Sequence, residues 1–212
     1  MLQVIPFIYD KEDELLANTY VIVDSKSKCV VVDPGSNYDG IINFIKKNNY
    51  KLVAVLLTHA HFDHIGGVDR LLNVYEVPAY AGYEEIPSFK DPYLNCSKDF
   101  SIKGITVEHD ITSLGDNEIL HLLEEDIKVI YTPYHTIGSV CYYFDKSKLL
   151  FSGDSLFAYT FGRSDLPTSV PSKMHESIDK LMKLDDEVKV YPGHGRTITI
   201  GQEKSFLKHY RY

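Results

Sequence analysis

The segment Thr58-His59-Ala60-His61-Phe62-Asp63-His64 places three imidazoles and a carboxylate within seven residues. Neutral imidazole and ionised carboxylate are ligands that divalent zinc, manganese and iron accept. The segment directly follows Leu52-Val53-Ala54-Val55-Leu56-Leu57, whose length and β-branched content predict a buried strand. Side chains gathered at the end of a rigid strand converge on one point with little loop entropy to overcome. The competing reading is a polar turn whose histidines face solvent.

A metal pair needs more ligands than one loop supplies, and three further candidates each follow an apolar run. His135 comes after Ile127-Lys128-Val129-Ile130-Tyr131, Asp154 after Leu149-Leu150-Phe151, and His194 after Val188-Lys189-Val190-Tyr191. Pro133, Gly153 and Gly193 stand within two residues before these ligands, which lets the backbone bend sharply and approach an ion. The repeated order of strand, tight turn and ligand argues for a metal centre built from four strand ends. Asp33, in Asp33-Pro34-Gly35, reads as a carboxylate that orients a ligand histidine, with simple turn formation as the alternative.

At these positions the sequence resembles the metallo-β-lactamase superfamily, and within it the shorter bacterial members of the glyoxalase II (hydroxyacylglutathione hydrolase) group. The likeness runs from Asn18 to about Gln202. It is carried by Asn18-Thr19-Tyr20-Val21, Val32-Asp33-Pro34-Gly35, the motif from His59 to His64, His135 in its Thr-Pro-x-His-Thr setting and Gly153-Asp154-Ser155-Leu156-Phe157. Gly162-Arg163-Ser164-Asp165 and Pro192-Gly193-His194-Gly195 complete the set. The resemblance implies an α/β protein, an αββα four-layer sandwich with its ligands on strand-end loops along one edge. It implies one metal ion held by His59, His61 and His135, a second held by Asp63, His64 and His194, and Asp154 bridging the two. Two divalent ions per chain follow, zinc foremost, with iron or manganese as alternatives because mixed His/carboxylate sites select weakly. Asp63 would also orient the hydroxide formed from metal-bound water.

The sequence departs from glyoxalase II at points that bear on substrate. Those enzymes continue into a helical extension that supplies basic residues for the glutathione carboxylates, whereas residues 1–212 read here as a single hydrolase domain without it. Gly195-Arg196 stands where they carry glutamate then tyrosine, and Tyr134 replaces the glycine usual before the fourth histidine ligand. Tyr134, Phe157 and Arg163 are the residues expected to meet substrate. Arg163 occupies the place of a basic residue that meets the thiol carrier; the structural alternative is an Arg163–Asp165 pair that braces its loop. The segment 81–102, with Tyr83, Phe89, Tyr93 and Phe100, reads as an irregular lid, binding wall or surface excursion.

The reaction expected is hydrolysis of a small-molecule acyl-thiol. Thiolate is a good leaving group that needs no dedicated general acid, whereas an amide nitrogen must be protonated, so β-lactams suit the centre less well. The alternatives are a mononuclear-iron persulfide dioxygenase and, on the same fold, a lactonase or phosphodiesterase.

Composition bounds the rest. At 212 residues, 44% hydrophobic and 25% charged, the chain suits one domain with a substantial core. A net charge of −8 without a basic block argues against a nucleic-acid partner. No apolar run approaches a membrane span, the start Met1-Leu2-Gln3-Val4 lacks a signal-peptide pattern, and the cytoplasm is the expected compartment. Cys29, Cys96 and Cys141 are scattered and read as buried thiols, while His109, His121, His175 and His209 read as surface or packing residues. Two similar halves are predicted. The first has strands near 3–8, 18–24, 28–33, 52–57 and 77–80, with helices near 38–48 and 65–72. The second has strands near 103–107, 117–122, 127–132, 140–145, 148–152 and 188–191, with a helix near 172–183 capped by Ser172.

Overall fold

The computed structural model describes residues 1–8, 16–35, 38–98 and 104–209. Phe100 and the first residue of the strand expected at 103–107 lie outside them. Among the described residues the chain forms two six-stranded mixed sheets. The first runs β1 (Gln3–Phe7), β2 (Thr19–Val23), β3 (Lys28–Val32), β4 (Lys51–Leu56), β5 (Ala79–Gly82) and β6 (Ile111–Leu114) in spatial order. The second holds β7 (Ile119–Leu120), β8 (Ile127–Tyr131), β9 (Val140–Phe144), β10 (Leu149–Gly153), β11 (Lys189–Pro192) and β12 (Ile198–Thr199), ordered β12-β11-β10-β9-β8-β7.

The central strands are buried on both faces, which accounts for their nearly continuous apolar sequences. Alternate residues split between two interfaces, as the period-two geometry of a strand requires. Tyr20, Ile22, Val30, Val32 and Leu56 of the first sheet meet Val129, Tyr142, Phe144 and Phe151 of the second. On the outer face of the first sheet, Val21, Val31 and Val55 pack under α1 (Tyr38–Lys47) and α3 (Val68–Leu72), through Ile41, Ile45 and Leu71. The outer face of the second, with Ile130, Leu150 and Val190, is covered by Leu181 of α4 (Met174–Leu181). Three apolar interfaces between four layers make the expected αββα sandwich.

Several boundaries differ from the sequence reading. The helix expected over 65–72 is two short pieces, α2 (Phe62–Ile65) and α3, divided at Gly66-Gly67. Residues 104–107 form no strand, while β6 was not anticipated. Ser172 does not cap α4: it sits in a 3-10 turn, Pro171–Lys173, and the position before the helix is Lys173, without a side-chain cap. Pro171, with its φ fixed by the ring, opens the turn that leads into the helix. Part of the segment read as irregular is a 3-10 helix, Tyr83–Lys90, and α5 (Ile200–His209) closes the described chain. No helix among the described residues is long and apolar enough to cross a membrane.

Candidate metal centre

All seven expected ligands reach one edge of the sandwich, carried by segments that follow the C-terminal ends of strands. His59 and His61 follow β4, Asp63 and His64 ride on α2, His135 follows β8, Asp154 follows β10 and His194 follows β11. Ligand atoms lie within 4.8 Å of one another in three sets: His59, His61 and His135; Asp63, His64 and His194; and His59, His64 and Asp154. Asp154 spans the first two sets. Its Oδ1 stands 3.3 Å from His64 Nε2, and its Oδ2 3.4 Å from His135 Nε2 and 3.6 Å from His194 Nε2.

Neighbouring groups set which nitrogen of each ring is available. The Thr58 hydroxyl donates to Asp33 Oδ2 at 2.6 Å, so its oxygen is left to accept from His59 Nδ1 at 3.1 Å. His64 Nδ1 donates to Asp33 Oδ2 at 2.9 Å, and His135 Nδ1 to the Arg163 carbonyl at 2.7 Å. With their Nδ1 positions carrying hydrogen, all three rings turn Nε2 to the centre, where it is bare in neutral His59 and His135 and is freed in His64 once its second proton leaves. Asp33 also accepts from the Thr58 amide at 2.8 Å. It sits at φ 49° and locks the β3 and β4 loops together, which goes beyond forming a turn.

The donor set fits metal ions. His61 Nδ1 faces His59 Nε2 at 3.1 Å and His135 Nε2 at 2.9 Å; one hydrogen on His61 Nδ1 can serve only one of these contacts, whereas a cation would be met by all three nitrogens. His61 Nε2 is buried without a hydrogen-bond partner, and His64 Nε2 and Asp154 Oδ1 are buried with only each other, 3.3 Å apart, to offset the loss of water. Burial and then the neighbouring rings hold His59 far below the ordinary histidine range and His61 at about 3; burial also lowers His135. These three are therefore neutral nitrogen donors at neutral pH. In the other set burial again acts downward on His64, but Asp63, Asp154 and Asp33 outweigh it and raise the ring well above its usual range. Asp154 and Asp63 raise His194 against burial in the same way. Burial acts to raise the Asp63 and Asp154 carboxyls, yet His64 and His194 hold both below the normal range. The negative charge that retains those protons is the charge that would hold a cation.

Tight backbone approaches make room for this packing. A Cβ on Gly193 would stand 2.7 Å from His64 Cε1 and closer still to Asp154, and one on Gly35 would overlap the Asp63 carbonyl. Asn18 anchors the His194 loop by donating from Nδ2 to the carbonyls of Pro192 at 3.1 Å and Gly195 at 3.0 Å. The sequence offered a signal for Asn18, a polar residue entering an otherwise apolar strand. Thr58 likewise gave a sign by preceding the first ligand directly.

A cavity of about 270 Å³ opens over the ligands, walled by Phe62, Cys96, Phe157 and Leu166 with Arg163 at its rim. Phe157 lines it and meets the His194 ring edge-on at 5.9 Å. Tyr134 does not line it. The ring is fully buried, donates its hydroxyl to the Ser155 carbonyl at 2.6 Å and accepts from the Gly162 amide at 3.1 Å. It therefore braces the Asp154 and Gly162 loops from behind, and the expected contact with substrate is corrected. Arg163 pairs in two-pronged fashion with Asp165 at 2.7 and 2.8 Å, the structural alternative weighed for it, while its side chain stays 57% exposed. Cys29, Cys96 and Cys141 are buried without disulfides. His109 and His121 pair with Asp69 and Asp126, away from the ligand cluster.

Residues 13–194 match the profile of the metallo-beta-lactamase superfamily. The chain belongs to that family. It is 36% identical over 185 residues to the "Probable metallo-hydrolase YqgX" of Bacillus subtilis, covering 84% of this chain and 85% of that protein. A hydroxyacylglutathione hydrolase of Francisella tularensis subsp. novicida is 30% identical over 203 residues, with 92% of this chain and 73% of that protein covered. Among solved structures, the BLEG-1 B3 metallo-beta-lactamase superposes with a TM-score of 0.87 at 36% identity, covering 97% of both chains. TTHA1623 in a di-iron-bound form gives 0.84 at 28% identity, over 94% of this chain and 96% of that one. This superfamily member thus carries buried His/Asp groups consistent with a binuclear metal site, the arrangement of a metallo-hydrolase.

Proposed function

We propose that the protein is a binuclear metal-dependent hydrolase of thioesters. The observation that carries the reading is the pair of adjoining ligand sets joined by Asp154 beneath an apolar cavity. His59, His61, His135 and Asp154 would hold one ion, and Asp63, His64, His194 and Asp154 the other. Bound divalent ions would supply Lewis acidity, activating water near neutral pH and polarising the substrate carbonyl. Asp63, beside His194 Nε2 at 3.1 Å, is placed to orient an attacking water as well as to ligate. Phe62, Phe157 and Leu166 keep bulk water from the acyl group, and Arg163 at the rim is placed for a carboxylate on the thiol carrier.

The mononuclear dioxygenase reading is disfavoured because the Asp63/His64/His194 set is complete. β-Lactam hydrolysis stands as a second reading on the likeness to BLEG-1. Against it, among the described residues that line the cavity, Cys96 and the always-charged Arg163 are the only side chains besides the ligands with a polar hydrogen to offer an amine leaving group, and neither is an evident general acid. The test is hydrolysis of a hydroxyacyl-glutathione thioester and of a β-lactam by protein of measured metal content. Metal-dependent turnover of the thioester well above the β-lactam is expected. The reverse preference, or thioester turnover that survives full chelation, would overturn the reading.

A further inference from the structure

Glu85 lies in the 3-10 helix Tyr83–Lys90, where the sequence shows no ligand pattern. Its side chain is fully buried and touches both loops that bring the first three histidines together. Oε1 accepts a hydrogen bond at 2.8 Å from the amide of Ala60, the residue between His59 and His61. Oε2 accepts from the hydroxyl of Thr136, next to His135, at 2.9 Å, and from the Gly138 amide at 3.0 Å. One carboxylate therefore spans the β4 and β8 loops across sequence separations of 25 to 53 residues. The fit is close, since a Cβ on Gly138 would come within 2.7 Å of Glu85 Oε2.

Two oxygens facing three donors have no use for a proton, so the arrangement suits the ionised form. Burial raises the Glu85 carboxyl above its usual range, outweighing the downward pull of the bonds from Ala60, Thr136 and Gly138. All three donors are uncharged. A buried charge held only by neutral dipoles is unfavourable without a compensating charge nearby. The loops it joins bring together three neutral imidazoles with ligand atoms within 4.8 Å of one another, a place for positive charge.

We propose that Glu85 is a positioning residue for the metal centre, fixing the His59–His61 and His135 loops at ligating distance and favouring a cation there by its charge. This rests on the metal-centre reading above. Glu85→Gln keeps the size of the side chain but sets an amide donor against at least one of the three donors. The test is cobalt(II) titration, followed by visible absorption, of chelator-treated His194→Ala protein with and without Glu85→Gln. In that background the Asp63/His64/His194 set is incomplete, while the three-histidine set is whole. Glu85→Gln should weaken cobalt binding by about 10- to 100-fold, the range for partners that orient metal ligands. Thr136→Val should weaken it by less than about tenfold, and Thr136→Ser should restore it, because the hydroxyl contact to Glu85 returns. Unchanged affinity in both Glu85→Gln and Thr136→Val would overturn the proposal while leaving the metal centre intact. No cobalt binding by His194→Ala protein with Glu85 present would overturn the metal-centre reading and the proposal together.

Discussion

The two ligand sets are built on different physical terms. His59, His61 and His135 are deeply buried neutral rings, oriented by a hydroxyl, a main-chain carbonyl and the loop clasp of Glu85. Asp63, His64 and His194 are held by charge, with three carboxylates around His64, and His194 remains 33% exposed. The first set gains from geometry fixed before an ion arrives, the second from electrostatic attraction, which is strong in a poorly solvated site. Two ions held so differently should differ in affinity, and the more exposed set should release its ion more readily.

Removing the group common to both sets should erase the contrast. Asp154→Ala takes away the bridge and a charge shared by His64, His135 and His194, so both ions should be lost and turnover should fall more than about a hundredfold, beyond the range for outer partners. Near-normal turnover with two ions bound would show the bridging role to be wrong. His194→Ala should empty only the charged set, leaving about one ion per chain by elemental analysis, whereas His59→Ala should disturb both, because His59 also lies within ligating distance of His64 and Asp154. Equal stoichiometry in the two variants would dissolve the distinction. Asp33→Asn offers an amide where His64 and Thr58 need an acceptor. It should weaken the charged set by about 10- to 100-fold and the three-histidine set less. The smallest effect belongs to Arg163→Ala. Its pair with Asp165 is exposed and screened by solvent, so the melting temperature should barely move. KM for a carboxylate-bearing thioester should rise several-fold with kcat spared. Equal KM shifts for charged and neutral thioesters would assign Arg163 to bracing alone.

What could be read in advance follows the same division. The clustering of the seven His and Asp residues was legible because each stands just past an apolar run, so strand periodicity and residue chemistry coincide within a few positions. The layers were legible from fully apolar strands such as β2 and β9. Glu85 was not, since its partners are loop amides distant in sequence and nothing in Tyr83–Lys90 repeats at a telling period. Tyr134 misled because a large residue next to a ligand suggests a pocket wall, yet its hydroxyl is consumed by the Ser155 and Gly162 backbone. The strands β6 and β12 are four and two residues long, too short for a pattern to emerge from their neighbours.

The central claim is that two unequal ligand sets hold two ions and that Asp154 joins them. Elemental analysis of protein purified without chelator, followed through stepwise dialysis against a weak chelator, tests it most directly. Two ions per chain should fall to one in a distinct first step, and His194→Ala protein should begin at one and lack that step. A starting content of one ion or fewer in the unaltered protein, or loss of both ions in a single step shared by both proteins, would contradict it.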